Sequence, residues 1–170
     1  FRSNTYGGAT VINGSTLTLA DFGTLASTSS IAVNYATLTI DNKNSLSDNS
    51  NRVNDSAGIT LRGGTITFLG RAQSVSSEIL STVTLDQGLS VITATTGGTG
   101  VNSADLVFSG LGRTANSGAM VNFTGSTQGA IGSNGRVLFT SAPALSNNLI
   151  GAWAVAGGTE FASYVQTIGV

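Results

Sequence analysis

Eight carboxylates, Asp21, Asp41, Asp48, Asp55, Glu78, Asp86, Asp105 and Glu160, carry whatever acid–base chemistry this 170-residue chain has, because it contains no histidine and no cysteine. Nucleophilic catalysis of the Ser–His or Cys–His kind is thereby excluded. Lys43 is the single lysine and stands in a polar run without the Ser-x-x-Lys context that a lysine base would need. What survives is the carboxylate chemistry of polysaccharide hydrolases and lyases, in which paired Asp or Glu residues flank the bond to be broken. Asp41 and Asp86 each follow a strand-like repeat directly, so stacking of those strands is one way to bring two carboxylates together. Isolated turn carboxylates are the plainer reading, and no catalytic residue is assigned.

Residues 41–55 (DNKNSLSDNSNRVND) hold three Asp and five Asn. Asx side chains bond their own backbone in turns, so an ordered surface loop accounts for them. Calcium needs six to eight oxygens with several carboxylates, and neither the EF-hand spacing nor the Gly-rich nonapeptide is present; no metal or cofactor is expected. Trp153, the one tryptophan, sits in IGAWAVAGG, where apolar and glycine flanks favour burial over service as a sugar platform.

The elements that must position these residues show themselves as repeats. STLTL (15–19), ATLTI (36–40), GTITF (64–68) and STVTL (81–85) share the pattern x-Thr-Φ-Thr-Φ, with Φ apolar, at spacings of 21, 28 and 17 residues. LVFSG, VNFTG and VLFTS then place Phe108, Phe123 and Phe139 at intervals of 15 and 16, as if the coil shortened toward the C-terminus. Period-two alternation puts Leu17 and Leu19, Leu38 and Ile40, Ile66 and Phe68, and Val83 and Leu85 on a core face, with the threonines outside. Turn-forming runs separate the strands at 13–14, 41–55, 63–64, 97–100 and 133–135. A single coil cannot bury its apolar face alone, whereas stacked coils can align like residues in ladders. The expected fold is therefore all-β, one β-solenoid domain over 1–170, with larger coils over about 1–100 and shorter ones over about 101–170. A β-sandwich is the alternative; it predicts short strands but not the recurring unit.

Composition narrows the class of function. The chain is 40% hydrophobic and only 9% charged, against roughly 25% charged in ordinary soluble domains, so Thr, Ser, Asn and Gly must keep the surface wet. Net charge is −1, and Arg2, Lys43, Arg52, Arg62, Arg71, Arg113 and Arg136 are scattered. Nucleic acid and anionic membrane both need clustered positive charge, and neither is an expected partner. No apolar stretch reaches the length of a membrane span. FRSNTYGG is not a signal peptide and the chain begins without Met, so a processed chain or a piece of a longer one is expected.

NTYGGATVINGSTLTLA (4–20) resembles the autotransporter-associated β-strand repeat, whose unit runs Asn-Thr-Tyr-x-Gly-Gly-Thr-x-Val-x-x-Gly-Thr-Leu. Asn4, Thr5, Tyr6, Gly7, Gly8, Thr10, Val11, Gly14, Thr16 and Leu17 match in order, with one residue missing after Tyr6 and an extra Ser15. This copy covers about a tenth of the chain; GGTITF (63–68) and NNLIGAWAVAGGTEFASY (147–164) are similar to segments that accompany such repeats. The resemblance implies a right-handed parallel β-helix, export to the bacterial surface or exterior, a scaffold or passenger role, and no catalytic residues to carry over.

Solenoids cap their open edges with a helix or polar coil, and no amphipathic capping helix is legible at either end. The expectation is a structural, non-enzymatic subunit that joins copies of itself head to tail, or joins the rest of a longer repeat chain. Thr10, Val11, Leu17 and Leu19 would form one joint, and Phe161, Tyr164, Val165 and Ile168 the other. A passenger adhesin binding a surface glycan or protein is the alternative. Paired threonines (Thr16/Thr18, Thr37/Thr39, Thr65/Thr67, Thr82/Thr84) also resemble the ice-binding face of antifreeze solenoids, but unequal spacings argue against a flat face.

Overall fold

The computed structural model describes residues 2–98, 100, 102–125 and 134–170. Two of the expected turn runs, 97–100 and 133–135, include Thr99 and Ser133, which lie outside the described residues. Elsewhere the chain winds as a parallel β-solenoid. Its first coils each give two strands: β1 (Thr10–Asn13) and β2 (Thr16–Leu19), β3 (Ser30–Asn34) and β4 (Thr37–Asp41), β5 (Gly58–Arg62) and β6 (Thr65–Leu69). Later coils add strands on a third side: β7 (Val75–Leu80), β8 (Val83–Gln87) and β9 (Leu89–Thr95), then β10 (Ser103–Phe108), β11 (Leu111–Arg113) and β12 (Met120–Gly125). Last come β13 (Gly135–Phe139), β14 (Ala154–Ala156) and β15 (Glu160–Phe161).

Three sheets result, in the orders β1-β3-β5-β8-β11, β7-β10-β13 and β2-β4-β6-β9-β12-β14-β15. Among the described residues every strand pair is parallel except β14–β15. Hairpin-built sandwich sheets are antiparallel, so the sandwich alternative falls. Among the described residues no helix is long and apolar enough to cross a membrane.

Register explains the core. Leu17, Leu38, Ile66, Ile92 and Phe123 are successive partners, as are Leu19, Ile40, Phe68 and Ala94; Phe68 against Ala94 alternates a large side chain with a small one. From Leu38 and Ile40 onward these residues are at most 1% exposed, and each large apolar side chain so buried contributes roughly 1.5–3 kcal/mol.

The coils do not shorten toward the C-terminus. Thr16, Thr37, Thr65, Val91, Asn122 and Val155 pair in succession, giving coils of 21, 28, 26, 31 and 33 residues. The division into larger coils before 100 and shorter ones after it is thereby corrected. Phe108 and Phe139 are partners in β10 and β13, 31 residues apart, whereas Phe123 belongs to a different sheet. The 15- and 16-residue intervals are steps between sides of the solenoid, not turns of it. Likewise Thr84 lies in β8 beside Thr60, away from the other threonine pairs, so the 17-residue interval is also a change of side.

The outward threonines of the long sheet form an unbroken row, Thr18-Thr39-Thr67-Thr93-Thr124, with a 2.6 Å hydroxyl bond between its last two members. Unequal coil lengths do not disturb this face, because the extra residues bulge elsewhere.

Candidate functional site

The largest bulge is 42–57, on the side where the early coils have single bridges, Ser3–Thr24 and Leu25–Val53, in place of strands. Side chains do the pairing there. Asn42 is fully buried and satisfied on every valence: its Nδ2 donates to Asp48 Oδ1 (2.8 Å) and to the Asn49 carbonyl (3.0 Å), and its Oδ1 accepts from Arg52 Nε (2.8 Å) and Asn49 N (3.3 Å). Arg52, also fully buried, sends Nη1 to the carbonyls of Asp21 (2.9 Å) and Gly23 (3.2 Å) and Nη2 to that of Ser47 (3.3 Å). One guanidinium thus ties together three segments of two coils.

Glu78 points inward from β7. Its Oε1 accepts the backbone N–H of both Arg52 (2.9 Å) and Val53 (2.8 Å), acting as the carbonyl acceptors that a neighbouring strand would have provided. Burial pushes the Glu78 carboxyl up to about 8, against those two N–H groups, which pull it down. Burial likewise lowers Arg52, opposed by the charges of Glu78, Asp21, Asp41 and Asp48.

The acidic loop is spent on the same structural work. Asp48 accepts from Ser76 Oγ (2.9 Å) and Ser74 Oγ, Asp41 from Asn44 N (2.9 Å) and Nδ2 (3.0 Å), and Asp21 from Leu46 N (3.0 Å). Among the described residues no group of three or more carboxylates is placed to hold a metal ion. The suggested Asp41–Asp86 pair is not formed, because Asp41 ends β4 in the long sheet and Asp86 lies in β8 in the five-stranded one. Asp86 instead bonds Thr114 Oγ1 (2.8 Å) and Arg62 (2.6 Å), and both hold its carboxyl below the usual range. With Asn34 bonded to Asn13 (2.8 Å) and to Arg62 (3.3 Å), these residues make a polar rail across five coils. Asp105 pairs with Arg136 at 2.5 Å. Trp153 is half-buried, with the Arg113 guanidinium 5.6 Å from its ring centre.

The two ends of the solenoid differ. At the C-terminal end the chain folds back: β15 runs antiparallel on β14, and Tyr164 packs its ring 5.4 Å from that of Phe139. The Tyr164 hydroxyl accepts from Phe139 N (3.0 Å) and donates to Phe139 O (2.9 Å), and Val170 N donates to Val137 O (3.1 Å). Two of the three sheet edges are thereby covered without a helix. At the other end β1 and β2 are the outermost strands of their sheets, and among the described residues no strand lies beyond them.

This placement revises the two joints. Tyr164 is buried and committed to the cap, Leu19 is buried in the core, and Thr10 is buried in a hydroxyl chain with Tyr6 (2.6 Å) and Thr28 (2.8 Å). Val11, Phe161, Val165 and Ile168 are exposed and Leu17 is half-buried at the rim of the core. The C-terminal group is therefore not an open strand edge, because its backbone and tyrosine already serve β13. Sequence reasoning missed Arg52, Asn42 and Glu78; a lone inward Glu at alternate spacing with Ser76 and Leu80 in β7 was the signal available.

No protein-family model, curated protein or solved structure matches this chain. The fold and the geometry of its ends and surfaces carry the functional argument.

Proposed function

We propose that this chain is a structural, non-enzymatic β-solenoid of the bacterial exterior that assembles with a second copy through its β1/β2 end. The observation that carries the reading is the contrast between ends: covered strands and a tyrosine cap at one, outermost β1 and β2 with Leu17 at the core rim at the other. Parallel edges at β1 and β2, with Leu17 half-buried at the rim of the apolar ladder, favour edge-to-edge pairing. With one such end, two copies meet in an isologous pair, whereas head-to-tail growth would need both ends open. The low charge and the resemblance of residues 4–20 to passenger-associated repeats support a place outside the cell.

Light scattering and electron microscopy of the purified chain test this. The expected result is short rods of twice the monomer mass that dissociate in Leu17→Lys, which points a charge into the joint, and persist in Val165→Lys. Slow hydrogen exchange at Phe139 and Val170 in both variants checks that the cap is intact. A wild-type chain that stays monomeric at high concentration, or rods lost equally with Val165→Lys, overturns the proposal.

A further inference from the structure

The corner between the five-stranded and long sheets turns through one left-handed residue per coil: Gly14 (φ 60°), Tyr35 (φ 47°), Gly63 (φ 59°) and Gly88 (φ 67°). The column is held by backbone bonds from Gly14 N to Asn34 O (3.1 Å), Tyr35 N to Arg62 O (2.9 Å) and Gly63 N to Gln87 O (2.8 Å). Three coils use glycine, which has no penalty there; the fourth holds a bulky aromatic, for which this conformation is an outlier. Strain of this kind gathers at ligand sites.

The Tyr35 ring is laid flat and fixed. A Cβ on Gly63 would stand 2.8 Å from its Cε1, so only glycine permits the ring to rest where it does. Gln87 Nε2 donates to its hydroxyl at 2.7 Å, anchoring the tip two coils away. One side of the ring thus packs on the glycine track, yet the residue is 65% exposed. Beside it runs a groove of about 440 Å³ whose wall includes Ser15, Thr16, Thr37 and Thr65, and among the described residues no charged side chain lines it.

We propose that this corner groove binds a neutral polysaccharide, with a pyranose ring on the open face of Tyr35 and the chain running along the solenoid axis. An aromatic face takes the C–H side of a sugar ring, and a wall of hydroxyls without charge suits a polyol and gives an acidic glycan nothing to pair with. Thr16, Thr37 and Thr65 are direct register partners, so they rise by about 4.8 Å per coil, close to the length of one pyranose unit. A linear glycan therefore meets one hydroxyl rung per sugar. The site does not depend on the end-pairing proposal, and light scattering reads association separately from binding.

The test is titration calorimetry with neutral hexasaccharides of β-1,4-glucose, β-1,4-mannose and α-1,4-glucose, with polygalacturonate as the acidic control. At least one neutral chain is expected to bind. Tyr35→Gly should weaken it at least about tenfold while the midpoint of thermal unfolding stays equal or rises, since glycine suits the corner better; Tyr35→Phe should retain binding. A structural role alone would lower the unfolding midpoint in Tyr35→Gly and produce no saccharide binding. The proposal is overturned by no binding of any neutral chain at millimolar concentration, by unchanged affinity in Tyr35→Gly, or by tighter binding of polygalacturonate.

Discussion

The long sheet and the bulged side around Arg52 solve one problem by opposite means. In the long sheet, each strand from β2 to β12 lies against the next with no register shift, so main-chain ladders satisfy the backbone and like residues stack. Around residues 42–57 the path of the chain leaves N–H and carbonyl groups without a neighbouring strand, and Arg52, Asn42 and Glu78 take the places of missing backbone partners. A ladder distributes its stability over many interchangeable rungs. A buried polar network concentrates it in a few residues, since each buried group left without a partner costs about 1–3 kcal/mol.

The largest effect expected from this contrast is at Arg52. Arg52→Lys keeps the charge but cannot reach Asn42 Oδ1 and three carbonyls at once, and should lower unfolding stability by about 3 kcal/mol or more, read by urea denaturation. A loss below about 1 kcal/mol would mean that the loop and not the guanidinium organises this side.

Glu78 gives a pH signature of intermediate size. Its folded value of about 8 lies above the ordinary 4.5, so the folded state holds the proton more tightly. The associated stability is complete below about pH 4.5 and is lost as pH rises through 8, at no more than about 1.4 kcal/mol per pH unit. Glu78→Gln keeps an acceptor for both N–H groups without an ionisable proton, so the difference in stability between wild type and variant should shift against the wild type over that window. A constant difference across it would place the carboxyl's value near normal.

The smallest effect belongs to the regular side. Thr93→Val removes the bond to Thr124 but keeps the β-branched shape and leaves a half-buried partner on the outer face that water can reach, so the change should fall within about 0.5 kcal/mol. A larger loss would show that the threonine row is a cooperative network like the one around Arg52.

Legibility in the sequence followed the same division. Period-two alternation with threonine outside and Leu, Ile or Phe inside was readable because a ladder demands like residues at like places, and three of the four x-Thr-Φ-Thr-Φ units stack as their pattern implies. The fourth unit and the phenylalanine series misled, because Thr82 to Leu85 and Phe108 to Phe139 carry the same strand chemistry on different sides of the solenoid. Alternation reports that a residue faces inward, not which sheet it faces inward from.

By itself, then, the sequence determined an all-β chain of stacked coils, a core of aliphatic and phenylalanine ladders, and the absence of His or Cys chemistry. Tertiary structure alone decided that Asp41 and Asp86 stay apart, that Glu78 serves Arg52 and Val53, that Tyr164 closes one end, and that Tyr35 lies over Gly63. The physical reason is range. Ladder residues are set by a local period of two, whereas each of the contacts made by Glu78, Tyr164 and Tyr35 joins residues 25 to 28 positions apart, through loops whose length the local pattern does not constrain.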